Sequence, residues 1–337
     1  MLGITFLIVT SVIVLRSVAP FIFPNYFIYI AIGILLFVFI SHIDMEIFYA
    51  FSPHLFILSV LFLLAPLAIG QATRGVVRWI PVGSLAVQPA EIIKPFILLF
   101  FARYMTAGEL TLKRFVSATA LFMVPLLLIL IQPSLGVATI MFSGFVGITL
   151  SLQYNKKLIV FAAIALLAFL PIFWNFMQPY QKVRVQTLFT PDIDPSGVGY
   201  NSIQSKIAVG SGKLTGRGLG QGVQTQLKFL PEKHTDFIFA AISEELGFVG
   251  ASLVTGILFF LLFRILKALE ATNNFTSRAF ISGALLMLFF QTMVHIGMNM
   301  GIFPITGLPL PFLSAGGSSL ISTFILSGLV ISARNYR

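Results

Sequence analysis

No cysteine occurs among the 337 residues of this chain, and there are only four histidines. Those absences exclude a disulfide framework, thiolate-bound zinc, an iron–sulfur cluster and a cysteine nucleophile, and they leave no imidazole cluster for a metal. Charge is equally scarce. Asp, Glu, Lys and Arg make up 9% of the residues, where a soluble domain carries about 25%. Hydrophobic residues fill the difference at 58%, and the mean hydropathy is +0.99. No water-facing surface can be assembled from this composition, so lipid is the main solvent. A net charge of +10 would suggest a nucleic-acid partner only if it formed a solvated basic face. Most of the bases instead stand at the ends of apolar runs. The composition predicts a polytopic membrane protein with no nucleic-acid partner.

A helix crossing hydrocarbon needs about 20 mostly apolar residues. Ten stretches qualify: 2–19, 21–41, 47–70, 88–105, 115–131, 135–152, 158–177, 246–268, 279–301 and 314–333. Backbone groups in lipid must pair internally, so helices are expected, giving an all-α integral membrane fold in one polytopic domain over 1–337. Ser17-Val18-Ala19 mimics a signal-peptide cleavage site. With no basic segment before it and Pro20 after it, the first run reads as a span. Arg103, Lys113, Arg114, Lys156, Lys157, Arg264, Lys267, Arg278, Arg334 and Arg337 fall on one side, against Arg74 and Arg78 in the short loops of the other. The excess of Lys and Arg places both termini in the cytoplasm. Segment 178–245, between the seventh and eighth spans, is then a large extracytoplasmic loop. A structureless loop of that length is unusual, so short surface helices are expected near 180–189 and 200–210. No internal repeat of the inverted-transporter kind stands out.

Four groups of residues carry potential chemistry. Gly210-Ser211-Gly212-Lys213 resembles a phosphate loop, but Ile207 and Leu214 stand where that motif needs Gly and Ser/Thr. Two readings stand: a flexible external loop, or a mobile lid whose N–H groups, with Lys213 and Arg217, meet an anionic ligand. Glu91 and Lys94 share one face of the fourth run. A lone charge at mid-membrane costs roughly 2.5–3.5 kcal/mol, so the two either face a polar cavity or close the bundle as an ion pair. Arg78 and Trp79 are an interfacial anchor or a ligand-binding pair with a sugar-stacking ring.

The run Leu230-Pro231-Glu232-Lys233-His234-Thr235-Asp236-Phe237-Ile238-Phe239 is the most informative. Thr235 would cap the following helix, with Asp236 favoured in its first turn by the helix dipole. Alternatively Asp236, set against Phe-Ile-Phe at a membrane mouth, is a desolvated general base. Glu244 and Glu245 read as helix-end or interface residues. The 301–319 run, with three Pro and four Gly, shapes a cavity, since irregular backbone at membrane depth is tolerated only there or inside protein.

These residues together resemble the SEDS family (shape, elongation, division and sporulation). The stretches that carry the resemblance are Pro-Glu-Lys-His-Thr-Asp-Phe-Ile-Phe-Ala (231–240), Glu-Glu-Leu-Gly (244–247) and Gly-Leu-Pro-Leu-Pro-Phe-Leu-Ser-Ala-Gly-Gly-Ser-Ser (307–319). Gln-Ser-Lys-Ile-Ala-Val-Gly-Ser-Gly (204–212), Arg78-Trp79 and Gln-Pro-Ala-Glu-Ile-Ile-Lys (88–94) follow in the expected order, so the likeness covers nearly the whole chain. It is nearest the elongation-type, RodA-like branch. Ala90, Ala315 and His295 depart from the family pattern of Ser, Tyr and Asn.

The resemblance implies a peptidoglycan glycosyltransferase that polymerises lipid II into β-1,4-linked glycan at the outer face of the bacterial inner membrane. Asp236 falls on the family's essential aspartate, with His234 beside it for substrate binding. Glu91, Lys94, Arg78 and Trp79 fall on its membrane-embedded motifs. Asp236 would take the proton of the acceptor 4-hydroxyl in one inverting displacement. Lys94, Arg78 and loop bases such as Lys213 would hold the diphosphate, and Glu91 would position Lys94 or bind the acceptor. No ligand set demands a cofactor, and a divalent cation at the diphosphate stays open. A class B penicillin-binding protein, a transpeptidase, is the implied partner. Two alternatives remain at this point: a lipid II flippase or transporter, and a non-catalytic scaffold in which Asp236 only caps a helix.

Overall fold

The computed structural model describes residues 2–73, 76–109, 111–152, 179–190, 194 and 197–336. Helices α1 (Leu2–Val18), α2 (Asn25–His42) and α3 (Met45–Ile69) come first. Three short strands follow: β1 (Gln71–Thr73), β2 (Val76–Val82) and β3 (Leu85–Val87). Then come α4 (Pro89–Ile92), α5 (Lys94–Thr106), α6 (Leu112–Ile131) and α7 (Leu135–Ser151). Shorter α8 (Pro179–Phe189), α9 (Val198–Ser211) and α10 (Val223–Gln226) precede α11 (Ile238–Ala271), α12 (Phe275–Asn299) and α13 (Gly317–Asn335).

The all-α integral membrane class holds. Among the described residues six helices, α2, α3, α6, α11, α12 and α13, are long and apolar enough to span a bilayer. Helices α1 and α7 reach 17 residues each. The expected run at 158–177 lies outside the described residues. Helices α12 and α13 form the interior: 67% and 78% of their apolar windows are buried, against 22–28% for the other four. Small residues let the backbones close up, as in membrane helix pairs generally. A Cβ on Gly147 of α7 would stand 2.7 Å from Ser282 O of α12, and one on Gly33 of α2 would strike the Phe324 ring of α13.

The strands depart from the all-helical expectation. They form an antiparallel sheet in the order β1-β2-β3, with Gln71 opposite Trp79 and Ile80 opposite Val87. Gly83, at φ 61°, supplies the left-handed residue that a two-residue hairpin turn requires. Tyr29 of α2 pins the hairpin, donating to Ala86 O (3.0 Å) and accepting from Ala86 N (2.9 Å). The sheet therefore fixes Arg78 and Trp79 on a rigid strand over the bundle.

The fourth expected span is not continuous. Pro95 has no N–H to offer Glu91 O, and α4 gives way to α5 through a turn at Ile93. The eighth span starts earlier than expected, at Ile238, because a helical segment precedes a break at Gly247 (φ 68°, ψ −167°). The glycine-rich loop fills that break. Arg217 N and Gly218 N donate to Glu244 O (2.9 Å) and Glu245 O (3.0 Å), while Phe248 N and Val249 N donate to Lys213 O (2.8 Å) and Leu214 O (3.1 Å). Four backbone groups freed by the break are thus satisfied by the loop, as buried backbone requires. Only glycine permits the approach: a Cβ on Gly247 would lie 2.2 Å from Gly216 N.

Candidate active site

A cavity of about 610 Å³ opens among β2, α4, the α6–α7 turn, α8, the turn before α11 and the 304–319 run. Strand β2 contributes Arg78 and Trp79, α4 contributes Glu91, and α8 contributes Gln181, Arg184 and Val185. The turn before α11 contributes Glu232, Thr235 and Asp236. Two arginines and three acidic residues therefore line one space together with apolar residues, a mixed lining that could hold a charged, hydroxyl-rich ligand.

Asp236 is placed by its main chain. Helix α11 begins at Ile238, with Phe237 at the N-cap and no side-chain cap bond. The expectation that Thr235 caps this helix is corrected: its hydroxyl donates to Glu232 Oε2 at 3.2 Å. Three consecutive carbonyls are held by groups outside the turn. His234 O accepts from Ala315 N (2.9 Å), Thr235 O from Ser314 Oγ (2.8 Å) and Asp236 O from Asn299 Nδ2 (3.1 Å). Carbonyls engaged in this way are not used as helical rungs, so the first rung runs from Ala241 N to Phe237 O (3.0 Å). The carboxylate is half-buried. A Cβ on Gly307, itself at φ 70°, would stand 3.4 Å from Asp236 Oδ2, so glycine there leaves the carboxylate room.

Glu91 and Lys94 meet as an ion pair, Nζ to Oε2 at 2.6 Å, with 4% and 2% of their side chains exposed. Glu91 also edges the cavity; Lys94 is not among its lining residues. Lys94 is therefore positioned to hold Glu91. His234 also lies off the lining. Its ring packs edge-on against Phe21, with centroids 5.5 Å apart. Lys213 is exposed, outside the cavity lining, and engaged through its carbonyl at the Gly247 break. The backbone of that loop serves as a structural splice at the break.

Glu244 and Glu245 do act at a helix junction. Glu244 accepts from Gln224 N (2.8 Å) and Thr225 N (3.0 Å). Glu245 accepts from Ser17 Oγ (2.6 Å) and Gly220 N (3.1 Å), joining α1 to the loop. Nearby, burial lowers the Lys233 ammonium from its usual range, and its Nζ donates to Thr225 O. The departures from the family pattern sit quietly. Ala315 acts through its backbone N–H, and His295 Nδ1 donates to Leu308 O at 2.5 Å.

Sequence reasoning gave no separate role to Arg184, Gln181, Glu232 or Asn299. Arg184, which donates to Ile305 O at 3.3 Å, shares an i, i+3, i+4 face with Gln181 and Val185, and that spacing was a usable signal. Glu232 is harder to foresee, because its φ of 52° is a turn geometry. Asn299 is a single amide near the end of an apolar run, with nothing local to mark it.

The cell cycle protein family model of FtsW, RodA and SpoVE matches residues 1–337. The peptidoglycan glycosyltransferase MrdB of Escherichia coli K12 is 39% identical over 312 residues, covering 91% of this chain and 84% of that one. A probable peptidoglycan glycosyltransferase FtsW of Shewanella sediminis is 38% identical, covering 83% of this chain and 70% of its own length. Among solved structures, a chain from a peptidoglycan synthase complex that coordinates polymerization and crosslinking superposes with a TM-score of 0.82 at 28% identity, covering 99% of this chain and 96% of that one. The Thermus thermophilus rod shape determining protein RodA superposes with a TM-score of 0.70 at 26% identity, covering 99% and 96%. Apolar helices, cavity and motif order thus agree with a full-length match, and the chain belongs to the FtsW/RodA/SpoVE family of cell cycle proteins.

Proposed function

We propose that this chain is a peptidoglycan glycosyltransferase that polymerises lipid II into β-1,4-linked glycan for cell elongation, with Asp236 as general base. One observation carries the reading: Asp236 lines the same cavity as Arg78 and Arg184. An α-linked donor giving a β-linked product inverts in a single displacement, so one carboxylate suffices. The acceptor's 4-hydroxyl oxygen attacks the anomeric carbon while its proton passes to Asp236. The bond from that carbon to the diphosphate breaks, and the electron pair leaves with the diphosphate. Fixed guanidiniums aimed at that growing charge favour the transition state over the ground state. Trp79 offers a flat face to a sugar ring, and Glu91, braced by Lys94, faces the same space.

No three carboxylate, imidazole or thiolate groups converge as a metal site among the described residues. The cavity belongs to the outer face of the bacterial inner membrane, with both termini in the cytoplasm, on the Lys/Arg asymmetry of the loops. The likeness to a chain of a synthase complex supports a class B penicillin-binding protein as the partner.

The reading is tested with Asp236→Asn in a lipid II polymerisation assay using the purified chain. Glycan strands are expected to disappear while the protein stays monodisperse. Polymerisation near the wild-type rate would reject the base assignment.

A further inference from the structure

Helix α12 carries three polar side chains one turn apart, Gln291, His295 and Asn299, each with 1% exposure or less. A buried polar group is costly unless it is bonded, and each of these reaches outward from its helix. Gln291 Nε2 donates to Pro309 O at 2.7 Å, and His295 Nδ1 donates to Leu308 O at 2.5 Å. Asn299 uses its whole amide. Its Nδ2 donates to Asp236 O (3.1 Å) and His295 O (2.8 Å), and its Oδ1 accepts from Ala240 N (3.1 Å). One side chain thus ties Asp236, in the turn before α11, and the first turn of α11 to the same point on α12. Ser314 adds a second grip one residue back, donating to Thr235 O at 2.8 Å and accepting from Leu310 N at 2.7 Å.

An aspartate side chain has two torsions, so the height of its carboxylate in a cavity follows from where its backbone is held. A misplacement of about 1 Å at a reacting group costs on the order of 100-fold in rate. We propose that Asn299 and Ser314 are positioning residues for the glycosyl transfer, setting the Asp236 carboxylate against the acceptor hydroxyl through its main chain. This rests on the assignment of Asp236 as the base.

The test uses the full-length chain in detergent micelles, with initial rates measured against lipid II concentration. Asn299→Leu is expected to lower kcat by about tenfold or more while KM changes by less than about twofold, because the groups that meet the diphosphate are untouched. Ser314→Ala is expected to lower kcat by about threefold or more, and Ser314→Thr, which keeps the hydroxyl, to restore it. Ser282→Ala removes a different α12 bond, to Gly147 O at 2.7 Å, and is expected to keep the wild-type kcat. If Asn299→Leu does not fold, the Ser314 pair decides alone. Wild-type kcat in Ser314→Ala, or an equal loss in Ser282→Ala, overturns the positioning role. Asp236→Asn is run alongside. An active Asp236→Asn rejects the base and the positioning role with it. An inactive Asp236→Asn beside unchanged Asn299→Leu and Ser314→Ala rejects the positioning role only.

Discussion

Lys94 Nζ lies 2.6 Å from Glu91 Oε2 inside the bundle, and of the two only Glu91 also borders the cavity. The pair sits at the α4–α5 turn, so a lysine that reads as a ligand-binding cation in the sequence is turned toward its own carboxylate. Removing either partner leaves a buried charge alone, which costs roughly 3–5 kcal/mol.

Lys94→Ala is therefore expected to lower the thermal midpoint sharply. The double variant Glu91→Gln/Lys94→Met should recover most of that loss, since replacing a buried pair is often close to neutral. Thermal unfolding in micelles checks both, and a Lys94→Ala protein of wild-type stability would refute the pairing role.

Arg184 presents a guanidinium to the cavity from α8. If it meets the diphosphate, Arg184→Ala loses charge-assisted hydrogen bonds of about 1.5–3 kcal/mol. At about 1.4 kcal/mol per tenfold, kcat/KM for lipid II should fall by about 10- to 100-fold. Arg78→Ala should do the same, and steady-state rates at several lipid II concentrations distinguish this from an unchanged substrate dependence.

Two glycines of α11 should behave oppositely. Gly247 is left-handed and closed in by the loop backbone, whereas a Cβ on Gly256 meets nothing within 4 Å. Gly247→Ala is expected to cost about 3 kcal/mol or more and to reduce the yield of folded protein. Gly256→Ala should be neutral or stabilise by about 0.5–1 kcal/mol. Melting curves of the two purified variants suffice to compare them.

Much of the helical frame was readable because a bilayer forces long apolar segments to pair their own backbones, leaving composition little freedom. Strand β2 escaped notice for the same reason: Val-Val-Arg-Trp-Ile-Pro-Val reads as a short loop between spans, with an interfacial Arg-Trp pair, when lipid is the expected surrounding. Thr235 carried the local signature of a helix cap, and it failed because Ser314 and Asn299, distant in sequence, claim the carbonyls around it. Tertiary hydrogen bonds leave no trace in local spacing. Arg78, Glu91 and Asp236 were legible as polar residues in apolar surroundings, and all three line the cavity. Lys94 gave the same signal, Lys213 drew notice through its glycine-rich loop and His234 through its place beside Asp236, yet none of the three lines the cavity. Residue type indicates that a polar group needs a partner; it does not say whether that partner is a neighbour or a ligand.

The join at Gly247 has a practical bearing on how this molecule can be handled. A helix whose missing rungs are lent by residues 213–218 behaves as a spliced rod, and the lender is as structural as the rod itself. A protease cut or an inserted tag within that stretch would remove the bonds that brace the short upper length, and with it the aspartate mounted just above, against the long lower one. Such insertions belong on the far termini instead.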